Sequence, residues 1–138
     1  FGVLKGRNSN QREVVLVQED KHTKNTNPGS GWGEHQLAGE FIAAAYCNYQ
    51  NFADNYNENL YGVKVVGLCF TFYKATITAD YLESLSNGLP PDELGIIIQR
   101  YPPQSSYKSL QALDYIIASD RKKIIHLLAS IKHYAETL

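Results

Sequence analysis

An α/β domain, a central mixed sheet flanked by helices, is predicted for this chain on three observations. Strand-like runs rich in Val, Phe and Thr alternate along it with helix-like runs rich in Ala and Leu. Its 138 residues are 43% hydrophobic and 12% aromatic, which suits one compact domain over 1–138 with a buried core and excludes a disordered chain. The apolar run Val14-Val15-Leu16-Val17-Gln18 leads straight into Glu19-Asp20-Lys21, as a strand does on leaving a sheet.

The elements follow in order. Phe1 to Lys5 and Glu13 to Gln18 are strand-like, and the turn formers Gly6-Arg7-Asn8-Ser9-Asn10 between them predict a hairpin. The second of these strands, the one ending in Glu19, is expected at the centre of the sheet. His22 to Gly33 is polar and glycine-rich, hence a loop. Glu34 to about Asn48 carries Leu37, Phe41, Ala44 and Ala45 at helical spacing. Gly62 to Ile77 predicts strand, either one or two broken near Phe70. Gly95 to Tyr101 predicts a short buried strand stopped by Pro102-Pro103. Two helices are expected after it, Ser106 to Ala118 and Ser119 to Leu138. The second would open on Ser119-Asp120 and gather Ile124, Leu127, Leu128, Ile131, Tyr134 and Leu138 on one side. No internal repeat is visible.

Charge and cysteines narrow the class. Thirteen Lys plus Arg against fourteen Asp plus Glu give a formal charge of -1, so a nucleic-acid role must rest on local charge. Lys5, Arg7, Arg12, Lys21 and Lys24 crowd the first segment, and Arg121, Lys122, Lys123 and Lys132 mark the last helix. Such edges can grip a phosphate backbone or be ordinary solvated faces. Cys47 and Cys69, unpaired and flanked by apolar residues, predict buried reduced thiols and an intracellular setting, the nucleus included. No run is long and apolar enough to cross a membrane. The absence of Met and the strand-like segment at the first residue give the chain the look of a piece cut from a longer protein.

Chemistry concentrates at Glu19-Asp20-Lys21. Alternation along a strand places Glu19 and Lys21 on one face and Asp20 on the other. A carboxylate that can hold a hard cation, beside a lysine that can orient a water, is the least equipment metal-assisted phosphodiester hydrolysis needs. The same pattern also arises at any strand end leaving a core. Gln36 sits near the start of the following helix, and Glu40, one turn on, can reach the same face. His22 and His35 flank the loop, but imidazole suits Zn²⁺ better than Mg²⁺. Trp32 in Gly29-Ser30-Gly31-Trp32-Gly33 could stack on a base or pack over the sheet edge.

The strand ending in Glu19-Asp20-Lys21 followed by a helix bearing Gln36 resembles the metal-dependent PD-(D/E)XK nuclease superfamily, in the branch with an added helix glutamine. The wording "VVLVQEDK", "EHQLAGEFIAAAYCNY" and "GVKVVGLCFTFYK" is similar to nuclease-like C-terminal domains of fungal and oomycete crinkler-type proteins. That resemblance implies a restriction-endonuclease-like core whose N-terminal part is missing. It implies that Glu19 binds Mg²⁺ or Mn²⁺, that the Asp20 carbonyl supplies a further ligand, that Lys21 positions the attacking water and steadies the pentacovalent phosphate, and that Gln36 supports them. The implied partner is nucleic acid, DNA ahead of RNA, with Lys24, Trp32 and Lys74 as contacts.

One departure accompanies the matches. The superfamily takes a second acidic ligand from the preceding strand, and Glu13 is the only acid before Glu19. With a hairpin turning around Ser9, the residue facing Glu19 would fall just before Phe1, so the missing ligand is expected upstream. The competing expectation is a degenerate nuclease fold serving as an effector or binding module. In either case the last two helices could form an oligomer interface.

Overall fold

The computed structural model describes residues 14–21, 32–103 and 111–138. The predicted hairpin partner in 1–13, and Lys24 and His22, lie outside these residues. The elements run β1 (Leu16–Lys21), α1 (Trp32–Phe52), a 3₁₀ turn (Ala53–Asn55), β2 (Asn59–Val66), β3 (Cys69–Thr76), α2 (Ala79–Ser86), β4 (Ile97–Tyr101), β5 (Leu113–Asp114) and α3 (Ala118–Thr137). The mixed α/β class predicted from sequence is the one observed. β1 pairs parallel to β2 across the α1 crossover, and β2, β3 and β4 pair antiparallel, with β5 on the same edge of β3 as β4.

Several boundaries differ from the sequence expectation. Among the described residues β1 closes one side of the sheet, not its centre. α1 starts two residues earlier than Glu34 and runs on to Phe52. The Gly62 to Ile77 run is two strands, broken at Gly67-Leu68 and not near Phe70, because Val66 pairs directly with Cys69. Gly67 takes φ 62°, a left-handed conformation that a two-residue hairpin loop requires and that glycine adopts without strain. α2 has no counterpart in the sequence expectation, although Thr78 accepts the Tyr81 N–H at 3.2 Å as an ordinary N-cap.

The predicted helix from Ser106 to Ala118 is overturned over 111–117. Leu113 and Asp114 pair with Phe70 and Cys69 as β5, burying Leu113. The Asp114 carboxylate then accepts the Ile116 N–H at 2.9 Å, a side-chain turn that competes with helix. β4 is not buried, since Ile97 is 73% exposed. The thiols are not buried either: Cys47 is exposed and Cys69 half-buried. No helix among the described residues is long and apolar enough to cross a membrane.

Two cores hold the sheet. On one face Leu37, Phe41, Ala44 and Ala45 of α1 pack on Leu60, Tyr73 and Ala75, with Leu82 of α2 closing the cluster. On the other, Ile124 and Ile131 of α3 pack on Val63, Phe72 and Leu113. Ile124, Ile131 and Ala135 are the buried residues of α3, whereas Leu128 and Leu138, expected on its apolar side, are exposed. Tyr134 reaches the sheet edge-on to Tyr61, with ring centroids 5.2 Å apart.

Candidate metal site at the end of β1

The register decides which residues share a face. Leu60, Gly62, Lys64 and Val66 alternate toward α1 on β2, as Phe41 lying over Gly62 shows. β1 pairs Val17 with Gly62, Glu19 with Lys64 and Lys21 with Val66, so Glu19 and Lys21 occupy positions on the α1 face and Asp20 one on the α3 face. Lys64, not singled out in the sequence, therefore sits beside Glu19. Neighbouring strands are about 4.8 Å apart, which makes these two register positions adjacent.

The parallel ladder also disposes of the backbone. Val15 gives its carbonyl to the Tyr61 N–H at 2.9 Å, and every second residue of β1 from there, Val17, Glu19 and Lys21, turns its backbone groups to β2. Asp20 is of the opposite parity. Its carbonyl is directed away from β2, on the side where no strand lies among the described residues.

Height along the sheet places α1 against β1. Buried Asn48 receives the Val14 N–H at 2.9 Å and donates to the Val14 carbonyl at 2.7 Å, tying the far part of α1 to the entry of β1. Moving back along the helix at 1.5 Å per residue, Glu40 lies about 12 Å on, level with Val17 to Gln18, and Gln36 about 18 Å on, level with Glu19 to Asp20. Phe41 over Gly62, the partner of Val17, gives the same height independently.

Rotation about α1 gives the direction. Glu34 is held to the β3 and β4 side, accepting from the Tyr73 hydroxyl at 2.9 Å and from Arg100 Nε at 3.1 Å. Gln36 and Glu40 lie on the opposite flank, the β1 flank, given 100° per residue. There Gln36 donates from Nε2 to Glu40 Oε1 at 3.2 Å, and the other carboxylate oxygen, Oε2, is buried without a hydrogen-bond partner.

The outward Asp20 carbonyl and the Glu40 oxygen without a partner are oxygen donors, the kind that Mg²⁺ and Mn²⁺ prefer. His35 is exposed, and no group of three His, Cys, Asp or Glu side chains that could hold a metal forms among the described residues.

Lys74 does not join this site. It pairs with Tyr61 and Gln99, on the α3 face, and lines a separate cleft of about 260 Å³ with Tyr101, Leu127 and Ser130. Strand alternation is the reason: Lys64 and Lys74 differ in face though both sit on the same pair of strands. Trp32 opens α1, near the level at which β1 ends.

On the Glu34 flank, burial and the neighbouring Glu34 charge push the Tyr73 phenol well above its ordinary 10.0, against the opposing pull of Arg100. A phenol kept protonated by the fold stabilises it fully below about pH 10 and less as pH rises beyond, because only the unfolded chain then releases the proton. Urea denaturation should therefore show stability falling between pH 9 and about pH 11, with a shallower fall in Tyr73→Phe. Equal slopes in the two proteins would remove Tyr73 as the cause.

The chain matches no family model, no curated protein and no solved structure.

Proposed function

We propose that this chain is a metal-dependent phosphodiesterase of the PD-(D/E)XK type acting on nucleic acid, DNA ahead of RNA. The observation that supports it best is the register, in which Glu19 pairs with Lys64 and Lys21 ends β1 on the side of the sheet that α1 covers, with the Gln36–Glu40 pair on the flank of α1 over β1. Mg²⁺ or Mn²⁺ would polarise a phosphoryl oxygen and lower the pKa of a water there. Glu19 and the Asp20 carbonyl hold the ion, Lys21 orients the attacking water and balances charge developing on the phosphate, and Gln36 fixes the carboxylates. Lys64 adds a cation on the same face. Trp32 at the start of α1 and Lys24 in the preceding segment are the proposed contacts to the polynucleotide, whereas Lys74 belongs to the other face.

A second reading has an observation of its own. Lys64 in register with Glu19 is also how a closed ion pair is built into a sheet, and a fold with its carboxylate so engaged would be a binding module with catalysis lost. Calorimetric titration with Mn²⁺ separates the two. The nuclease reading expects saturable binding to the wild type that Glu19→Gln weakens at least about tenfold, as loss of a charged ligand should. Equal affinity in the two proteins removes the ligand role, and a wild type that takes up no Mn²⁺ favours the module.

A further inference from the structure

We propose that the cleft between α3 and the β3–β4 side of the sheet is a binding site for a planar aromatic carboxylate of one or two rings, independent of the site at the end of β1.

The register builds its floor. Tyr61, Lys74 and Gln99 form one row across β2, β3 and β4, and Val63, Phe72 and Tyr101 form the next, all on the α3 face. Ile124 and Ile131 of α3 pack on Val63 and Phe72 but leave β4 open, so that Gln99 is exposed and Tyr101 is 42% exposed. Between helix and floor lies the cleft of about 260 Å³, with the Phe72 and Tyr101 rings on the sheet side and Leu127 and Ile131 on the helix side. Aromatic and aliphatic walls of this kind accept a flat apolar ring. Small-molecule sites commonly run from about 300 to 1,000 Å³, so a volume just below that range takes one or two rings and no more.

Lys74 sets the charge of the occupant. It stands half-buried in the middle of the floor and, among the described residues, forms no ion pair. An ammonium partly withdrawn from water gains from an anion held beside it. Arg100 also lines the cleft, but its guanidinium is already engaged by Glu34 at 3.1 Å and by the Pro102 and Gln111 carbonyls. One point charge balances a carboxylate, whereas a phosphate is better met by several donors or by the fork of an arginine. The Ser130 hydroxyl donates to the His126 carbonyl at 2.9 Å, which leaves its oxygen to accept an N–H or O–H carried by the ring.

The test is an NMR titration of the isotope-labelled protein with benzoate, naphthoate and indole carboxylate, each beside its neutral amide. At least one carboxylate should bind the wild type saturably with Kd below about 1 mM, and its amide at least about tenfold more weakly. Lys74→Gln should raise the Kd of that carboxylate at least about tenfold while leaving the amide within about twofold, a difference that mere damage to β3 would not produce. Ser130→Phe, at an exposed position of α3, should abolish binding of both by filling the cleft. Equal wild-type affinity for carboxylate and amide overturns the assignment, as does carboxylate binding that survives Ser130→Phe or is unchanged in Lys74→Gln. Saturable binding by none of the probes overturns it too. If Lys74→Gln does not fold, the wild-type comparison and Ser130→Phe decide. Tighter binding of adenosine monophosphate than of any carboxylate overturns the ligand class.

Discussion

Replacing Lys21 with alanine should lower phosphodiester cleavage by several orders of magnitude while leaving the protein folded. Lys21 is the last residue of β1 and pairs with Val66 beside the Gly67-Leu68 hairpin, so the apolar body of the strand does not depend on it. Removing a preorganised charge that faces developing negative charge costs about 10² to 10³ in rate for a single neutral donor, and more for a full ammonium in a low-dielectric site. Cleavage of linear duplex DNA, single-stranded DNA and RNA in Mn²⁺, with far-ultraviolet circular dichroism as the folding control, measures both halves of the expectation. Unchanged cleavage would end the assignment of this site. Lys21→Arg should recover only part of the rate, because a planar fork cannot place a point charge where the ammonium stood.

The fold class and the course of β1, α1, β3 and α3 were legible because each carries its own period. Leu37, Phe41, Ala44 and Ala45 face the sheet at the expected helical spacing, and Ile124 and Ile131 do so from α3. What the sequence hid depends on partners far away in the chain. Leu113-Asp114 has helical-looking neighbours, yet β3 offers it Phe70 and Cys69 to pair with, and a two-residue strand leaves no period to detect. Ile97-Ile98 reads as a core run, but with β4 at the far side of the sheet from β1 the Ile97 side chain meets solvent.

The candidate site was legible in part for the same reason. Glu19 and Lys21 could be set on one face from strand alternation alone, and the register gives them that parity, whereas Gln36 joins them only through the family resemblance. Lys64 and Lys74 could not be sorted without that register. Both lie in "GVKVVGLCFTFYK", and only the hairpin at Gly67-Leu68 shows that the first shares the Glu19 face while the second does not. Glu40 was visible as a residue able to reach the right face. Its orphaned oxygen is a property of packing, which no spacing rule reports.

Phe41→Ala is expected to be the most damaging substitution for stability, at about 3 to 5 kcal/mol. Phe41 is fully buried, and its ring fills the space over Gly62, where a Cβ would stand 2.5 Å from Cζ. Against a total of about 5 to 15 kcal/mol for a domain, that loss is enough to unfold part of the population at 37 °C. Urea denaturation at neutral pH measures it. The complementary change, Gly62→Ala, should cost about 1 to 3 kcal/mol by overpacking, because the new methyl would meet the fully buried Phe41 ring. Combining Gly62→Ala with Phe41→Leu should then cost less than the sum of the two single changes, since the smaller side chain vacates the space the new methyl needs. Strict additivity would show that the ring and the glycine are not in contact, and with that the height of α1 over β1 would lose one of its two supports. The Phe41 result also separates structure from chemistry at this face: Phe41→Ala should remove stability and with it activity, whereas Lys21→Ala should remove activity alone.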